Sequence, residues 1–206
     1  MTTTSQSVPQ NSRVLDLQVL ALDLSTCTRC VGTLANIETA IETVQRVLEV
    51  TGSSVRVQKI VVESEEEARQ YGFVSSPTIR IAGRDITFDT LESKCESCTD
   101  LCGCTEGTSC RLWRYQGAEH TEAPVGLIVE ALLRELASAQ PGAVAVAEAP
   151  TYELPANLRD FYAGKASRAA ATGSACCSTS EQATCCEPAG KASCCGDPEP
   201  VTCGCR

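Results

Sequence analysis

The chain has 206 residues and a formal charge of −9 at neutral pH, so it lacks the basic footprint that nucleic-acid phosphates demand. Aromatic residues make up only 4 %, too few for base-stacking surfaces. No apolar run approaches the ~20 residues needed to span a bilayer, and residues 1–13 lack the apolar stretch of a secretory signal. The expectation is a cytoplasmic protein with neither a nucleic-acid nor a membrane partner.

In chain order, residues 1–12 are polar and are expected to form a flexible N-terminus. Residues 14–22 are apolar with partial alternation, which suits a largely buried strand. Leu34, Ile37, Ile41, Val44 and Leu48 then recur at spacings of three and four, the signature of an amphipathic helix ending near Gly52. Residues 55–62 form a second strand. Ser64 and Glu67 make a capping box for a short helix that stops at about Gly72. Ser75-Ser76-Pro77 leads into a third strand at residues 78–81, and Gly83-Arg84 predicts a tight type II′ turn into residues 86–88. Residues 94–110 are a cysteine-rich insertion. Pro124 opens a last helix with Ile128, Leu132, Leu133 and Leu136 on its buried side.

The predicted order is β-α-β-α-β-β-α, an α/β sandwich around a central sheet, over residues 13–139. Residues 140–168 read as a linker containing a short helix. Its apolar positions Leu154, Leu158, Phe161 and Tyr162 suit either packing on the domain or docking of a partner. Residues 169–206 have almost no large apolar side chains and form a disordered cysteine-rich tail that cannot build a core alone.

The chemistry lies in the 15 cysteines. Thiols in the cytoplasm are mostly kept reduced, so this number points to metal binding or redox chemistry rather than a disulfide scaffold. Cys27-Thr28-Arg29-Cys30 sits between a strand and a helix N-terminus, where unpaired N–H groups favour a thiolate at Cys27. Arg29 is expected to act in the same direction, and Cys30 can resolve a mixed disulfide. Ligation of a structural metal is the alternative use of this pair.

Cys95, Cys98, Cys102, Cys104 and Cys110 follow the pattern C-x2-C-x3-C-x-C-x5-C. Four such thiolates can close a tetrahedral zinc site, a cluster or a softer ion site. An ion could also be what folds the insertion, and disulfides are a third possibility. The sole histidine, His120, reads as a solvated loop residue.

In the tail, Cys176-Cys177, Cys185-Cys186, Cys194-Cys195 and Cys203-Gly204-Cys205 begin nine residues apart. This period fits neither a helix nor a coiled coil, and it suits a string of paired ligands for soft ions. Zinc, arsenite and mercury(II) all remain open as the ion.

The element order, Cys27-Thr28-Arg29-Cys30 and Ser76-Pro77-Thr78 resemble the thioredoxin superfamily. The dipeptide between the cysteines is Thr-Arg rather than Gly-Pro, and no tryptophan precedes Cys27. The resemblance implies a cis-proline at Pro77 beside the CxxC pair, contacting substrate, with Cys27, Cys30 and Pro77 as the catalytic set. The chain is also similar to an uncharacterised thioredoxin-like bacterial family often encoded near arsenic- or mercury-resistance genes. Its tail resembles metallothionein-like tails. Together these imply a thiol protein that binds soft metal or metalloid ions and transfers them, or exchanges disulfides with a redox or metal-transfer protein. The alternatives are a thiol–disulfide oxidoreductase with a zinc-storing tail and a non-enzymatic zinc protein.

Overall fold

The computed structural model describes residues 13–138 and 152–173 of the chain. Strand β1 (Arg13–Ala21) leads to helix α1 (Thr28–Thr51), strand β2 (Ser53–Val61) and helix α2 (Glu65–Tyr71). Strands β3 (Thr78–Ile81) and β4 (Arg84–Asp85) follow. The four strands form one sheet in the order β2-β1-β3-β4. β1 and β2 are parallel, with α1 as their crossover, while β3 and β4 add antiparallel pairings. This is a mixed α/β fold, as the alternation of strand and helix patterns implies.

Local chemistry sets the boundaries. α1 ends at Gly52 in the left-handed conformation (φ 63°), which glycine adopts without a Cβ penalty. The Ser64 side chain accepts a hydrogen bond from the Glu67 amide and starts α2. The β3–β4 turn is centred on Ala82-Gly83 rather than Gly83-Arg84, since Ile81 pairs with Arg84. Both turn residues have positive φ (50° and 77°), the type I′ arrangement whose twist matches the flanking strands. The expected strand at residues 86–88 is absent; β4 ends at Asp85.

Between β4 and the next long helix lies a subdomain of short elements. Strands β5 (Glu92–Cys95) and β6 (Thr108–Arg111) pair antiparallel and enclose helix α3 (Glu96–Cys102). A second hairpin, β7 (Trp113–Tyr115) and β8 (Ala118–His120), follows and leads to α4 (Val125–Ala137). Helix α5 (Ala156–Gly173) is longer than the short helix expected here, running past the point where the sequence suggests the tail begins.

Two buried clusters hold the fold together. Leu15, Leu17 and Val19 of β1 meet Ile37, Val44 and Leu48 of α1 and Ile128 and Leu132 of α4. Leu20, Ala21 and Leu22, at the carboxyl end of β1, instead join Phe73, the insertion cysteines, and Leu154, Leu158, Phe161 and Tyr162. The stripe in residues 152–162 therefore packs on its own domain. Tyr152 Oη donates to Phe73 O at 2.6 Å and Tyr162 Oη to Val62 O at 3.0 Å, so both phenols are satisfied where they meet the core. Among the described residues no helix is long and apolar enough to cross a membrane.

Candidate functional site

The site lies where β1 ends and α1 begins. Asp23 organises the intervening loop: its Oδ1 accepts from the amides of Ser25, Thr26 and Cys27 at 3.1, 2.6 and 2.7 Å. Burial works against its charge, but these amides and the Thr26 and Ser25 hydroxyls outweigh it and hold its pKa at about 2. Cys27 is the N-cap residue of α1, and its side chain makes no capping hydrogen bond. The residue is turned inward and is only 1 % exposed.

Cys27 does not meet Cys30 alone. The Sγ atoms of Cys27, Cys95 and Cys98 lie within 4.8 Å of one another. The Cys98 thiol donates to Cys27 Sγ at 3.7 Å, Cys95 Sγ lies 3.9 Å from Cys27 Sγ, and the Cys110 thiol donates to Cys98 at 3.3 Å. What the sequence presents as two separate motifs is one buried thiol cluster. Cys95 is the N-cap of α3 and Cys98 lies in its first turn, while Cys110 comes from β6, opposite Ser93 of β5. The β5–β6 pairing thus folds all three insertion cysteines over the CxxC helix.

Arg29 clamps the two parts. Its guanidinium donates to Ser93 O (3.4 Å), Cys110 O (3.4 Å) and Lys94 O (2.5 Å). It therefore binds β5 and β6 to α1 and does not point between Cys27 and Cys30. Arg111, next to Cys110, is fully buried and anchors β6 from the other side. It forms a two-pronged ion pair with Asp85 (3.0 and 2.9 Å), lies 5.1 Å from the centre of the Trp113 ring, and its amide donates to Ser76 O.

The cluster is electrostatically graded. Thiol hydrogen bonds from Cys110, Cys30, Cys95 and Cys98 push the Cys27 pKa strongly down. Cys95 falls to about 7, chiefly through its hydrogen bond with Cys110. The anion at Cys27 and burial raise Cys30, and Cys27, Cys95 and Cys98 together with burial raise Cys110. The cluster thus favours the thiolate at Cys27, helped by the α1 N-terminus, and the protonated form at Cys30, Cys98 and Cys110.

The other expected site residues fall as follows. Cys30 is fully buried, with Sγ 3.6 Å from Ser76 Oγ. The Ser76–Pro77 bond is cis, and Pro77 is buried. Cys102 and Cys104, expected among the metal ligands, are joined to each other in a disulfide, the third use the sequence leaves open for the insertion cysteines. His120 pairs with Trp113 in the β7–β8 hairpin and lines a shallow cleft with Asn36, Glu119 and Glu122, without cysteines. Cys176, Cys177, Cys185, Cys186, Cys194, Cys195, Cys203 and Cys205 lie outside the described residues.

Asp23 and the clamping role of Arg29 were missed in the sequence. An acid four residues before the CxxC pair, ahead of Ser-Thr, is an Asx-type loop signal. Nothing local marks the carbonyls that Arg29 reaches.

Fold and site define an α/β protein carrying a buried cluster of cysteine thiols capable of holding a metal ion. Residues 14–132 match the family described as Domain of unknown function (DUF2703), and the chain belongs to that family. No curated protein and no solved structure matches it. The matched span includes Cys27, Cys95, Cys98 and Cys110 and stops before α5.

Proposed function

We propose that this protein binds a soft metal or metalloid ion through Cys27, Cys95, Cys98 and Cys110. The spacing of the Cys27, Cys95 and Cys98 sulfurs, all within 4.8 Å of one another, supports this most strongly. A tetrahedral ion with metal–sulfur bonds of ~2.3 Å sets its sulfurs about 3.8 Å apart, and Cys27 Sγ lies 3.7 Å from Cys98 and 3.9 Å from Cys95; Cys110, 3.3 Å from Cys98, stands beside this group as a fourth thiol. An all-sulfur donor set selects zinc or softer ions over magnesium or calcium. Three of the thiols would suffice for a pyramidal metalloid such as arsenite; four suit zinc or mercury(II). A reducing compartment such as the cytoplasm would keep the thiols available. The tail pairs would add capacity for the same class of ion.

A second reading is thiol–disulfide exchange at Cys27–Cys30, beside Pro77, in keeping with a thioredoxin-like relationship. The depressed Cys27 pKa favours it. The 1 % exposure of Cys27 weighs against it, because in-line attack on a partner's disulfide needs an accessible sulfur. Ligation is therefore the better fit.

The test is elemental analysis of the full chain with all eight tail cysteines changed to serine, purified anaerobically under reducing conditions. About one soft ion per chain is expected, with loss of most of it in Cys27→Ser and in Cys98→Ser. Absence of a stoichiometric soft element after loading, or unchanged binding in both variants, would exclude the reading.

A further inference from the structure

We infer that the Cys102–Cys104 disulfide is an exchange centre for a small thiol, admitted through the groove between the end of α3 and helix α5. Neither sulfur belongs to the set of Cys27, Cys95, Cys98 and Cys110, so the inference stands whether or not that set holds an ion.

The bond joins residues only two apart in sequence. Cross-link stabilisation grows with the length of the loop closed, so this disulfide staples very little. Its surroundings instead suit its opening. Cys102 Sγ lies 3.4 Å from Thr99 O and 3.2 Å from Thr108 Oγ1, and Cys104 Sγ lies 3.6 Å from Asp160 O. A disulfide sulfur has no proton to donate to a carbonyl, whereas a thiol has one. Each sulfur therefore already faces an acceptor for the proton it would carry in the reduced form. The Thr108 hydroxyl can in turn donate to a thiolate at Cys102, and Thr108 is buried, so water does not compete for it.

The two sulfurs differ in access. Cys102 is fully buried, whereas Cys104 is half-buried and lines a groove of about 660 Å³. That volume falls within the range of small-molecule sites. Asp160, Ala163, Gly164 and Ser167 of α5 line the groove as well. They recur at spacings of three and four, on one helix face, and none is large. At Gly164 even a Cβ would lie 2.6 Å from Cys104 Sγ, so only glycine leaves room for this sulfur beside the helix.

Access fixes the direction of the reaction. The thiolate of the small thiol attacks Cys104 Sγ; a sulfur–sulfur bond forms between them and the Cys102–Cys104 bond breaks. Cys102 leaves as a thiolate, receives the Thr108 hydrogen bond, and takes up the proton that the attacking thiol had lost. A second molecule of thiolate attacks the small thiol's sulfur in this mixed disulfide. Cys104 is released, takes up the second proton and faces Asp160 O. The disulfide has then gained two electrons, and two small thiols have been oxidised to one disulfide. The reverse sequence restores the Cys102–Cys104 bond.

The test uses the ion-free full chain with all eight tail cysteines changed to serine, anaerobic, in glutathione buffers of varied thiol-to-disulfide ratio. Acid quenching, alkylation and tandem mass spectrometry follow Cys102 and Cys104. The pair should pass reversibly between disulfide and dithiol, both cysteines changing together. With glutathione disulfide, Cys102→Ser should carry one glutathione on Cys104, and Cys104→Ser should carry none on Cys102. Thr108→Val should slow opening by about tenfold, because a hydrogen bond to a charged group is worth that much or more, and Thr108→Ser should recover most of the rate. A pair that stays oxidised in excess reduced glutathione while the protein remains folded by circular dichroism would overturn the inference. So would glutathione on Cys102 in place of Cys104, or opening as fast in Thr108→Val as in the parent chain.

Discussion

At the scale of single residues, Arg29 and Asp23 govern the site without holding an ion. Arg29 supplies charged donors to three carbonyls of the insertion, and charged hydrogen bonds are worth ~1.5–3 kcal/mol. Arg29→Ala should weaken ion binding by about tenfold or more, read by anaerobic competition against a chelator. Arg29→Lys keeps the charge but loses the fork, so it should recover only part of that loss. Asp23 makes a pH prediction. Its folded pKa of about 2 lies below the usual 3.8. Its contribution to stability is therefore full above about pH 4 and is lost as pH falls through about 2. Asp23→Asn should flatten that part of the acid-unfolding profile, measured by urea denaturation at stepped pH. Of the site residues, the cysteines were legible because thiols are rare and their spacing is distinctive. Asp23 and Arg29 act through backbone groups, which leave no mark on the side-chain pattern.

At the scale of elements, α5 serves as the cover of the thiol cluster. Leu158 and Phe161 are fully buried there, so Leu158→Ala should cost about 2–5 kcal/mol in chemical denaturation. At Gly164 the helix backbone approaches the insertion closely: a Cβ there would lie 2.6 Å from Cys104 Sγ and 3.1 Å from the Cys102 carbonyl. Gly164→Ala should therefore push α5 outward at a cost of about 1–3 kcal/mol. Proteolysis would show it as cleavage near residues 152–156 at a protein concentration where the unaltered chain resists. The helices α1, α2 and α4 were legible from periodicity and caps. The length of α5 was not, because Ala-Ser-Arg-Ala-Ala-Ala reads as tail by its lack of apolar residues, although alanine is the best helix former. Strands β5 to β8 have three or four residues each, too few for alternation to register.

At the scale of the whole molecule, the parts divide their labour. Truncation after Ser174 removes all eight tail cysteines and leaves α5 entire. It should lower the number of soft ions bound per chain and leave the melting temperature of the ion-free protein nearly unchanged, as calorimetry and elemental analysis would show. The sequence disclosed the α/β architecture and the density of thiols. It could not disclose that Cys27 and the insertion share one centre, because that junction depends on the β5–β6 register and on Arg29 reaching across to it.

The cysteines of the cluster lie at very different separations along the chain. Cys98 and Cys110 are 12 residues apart, whereas Cys27 and Cys98 are 71 apart. An ion bridging them is a reversible cross-link that closes most of the domain into a loop. By the chain-entropy relation a loop of that length removes about 4 kcal/mol of unfolded-state freedom, against about 3 kcal/mol for a short one. The short clasp tightens only the insertion; the long one ties the crossover helix and the insertion into a single cooperative unit. Saturating ion should therefore raise the melting point of the entire domain when Cys27 is present. In Cys27→Ser, which loses most of the ion, the domain should melt near its ion-free temperature.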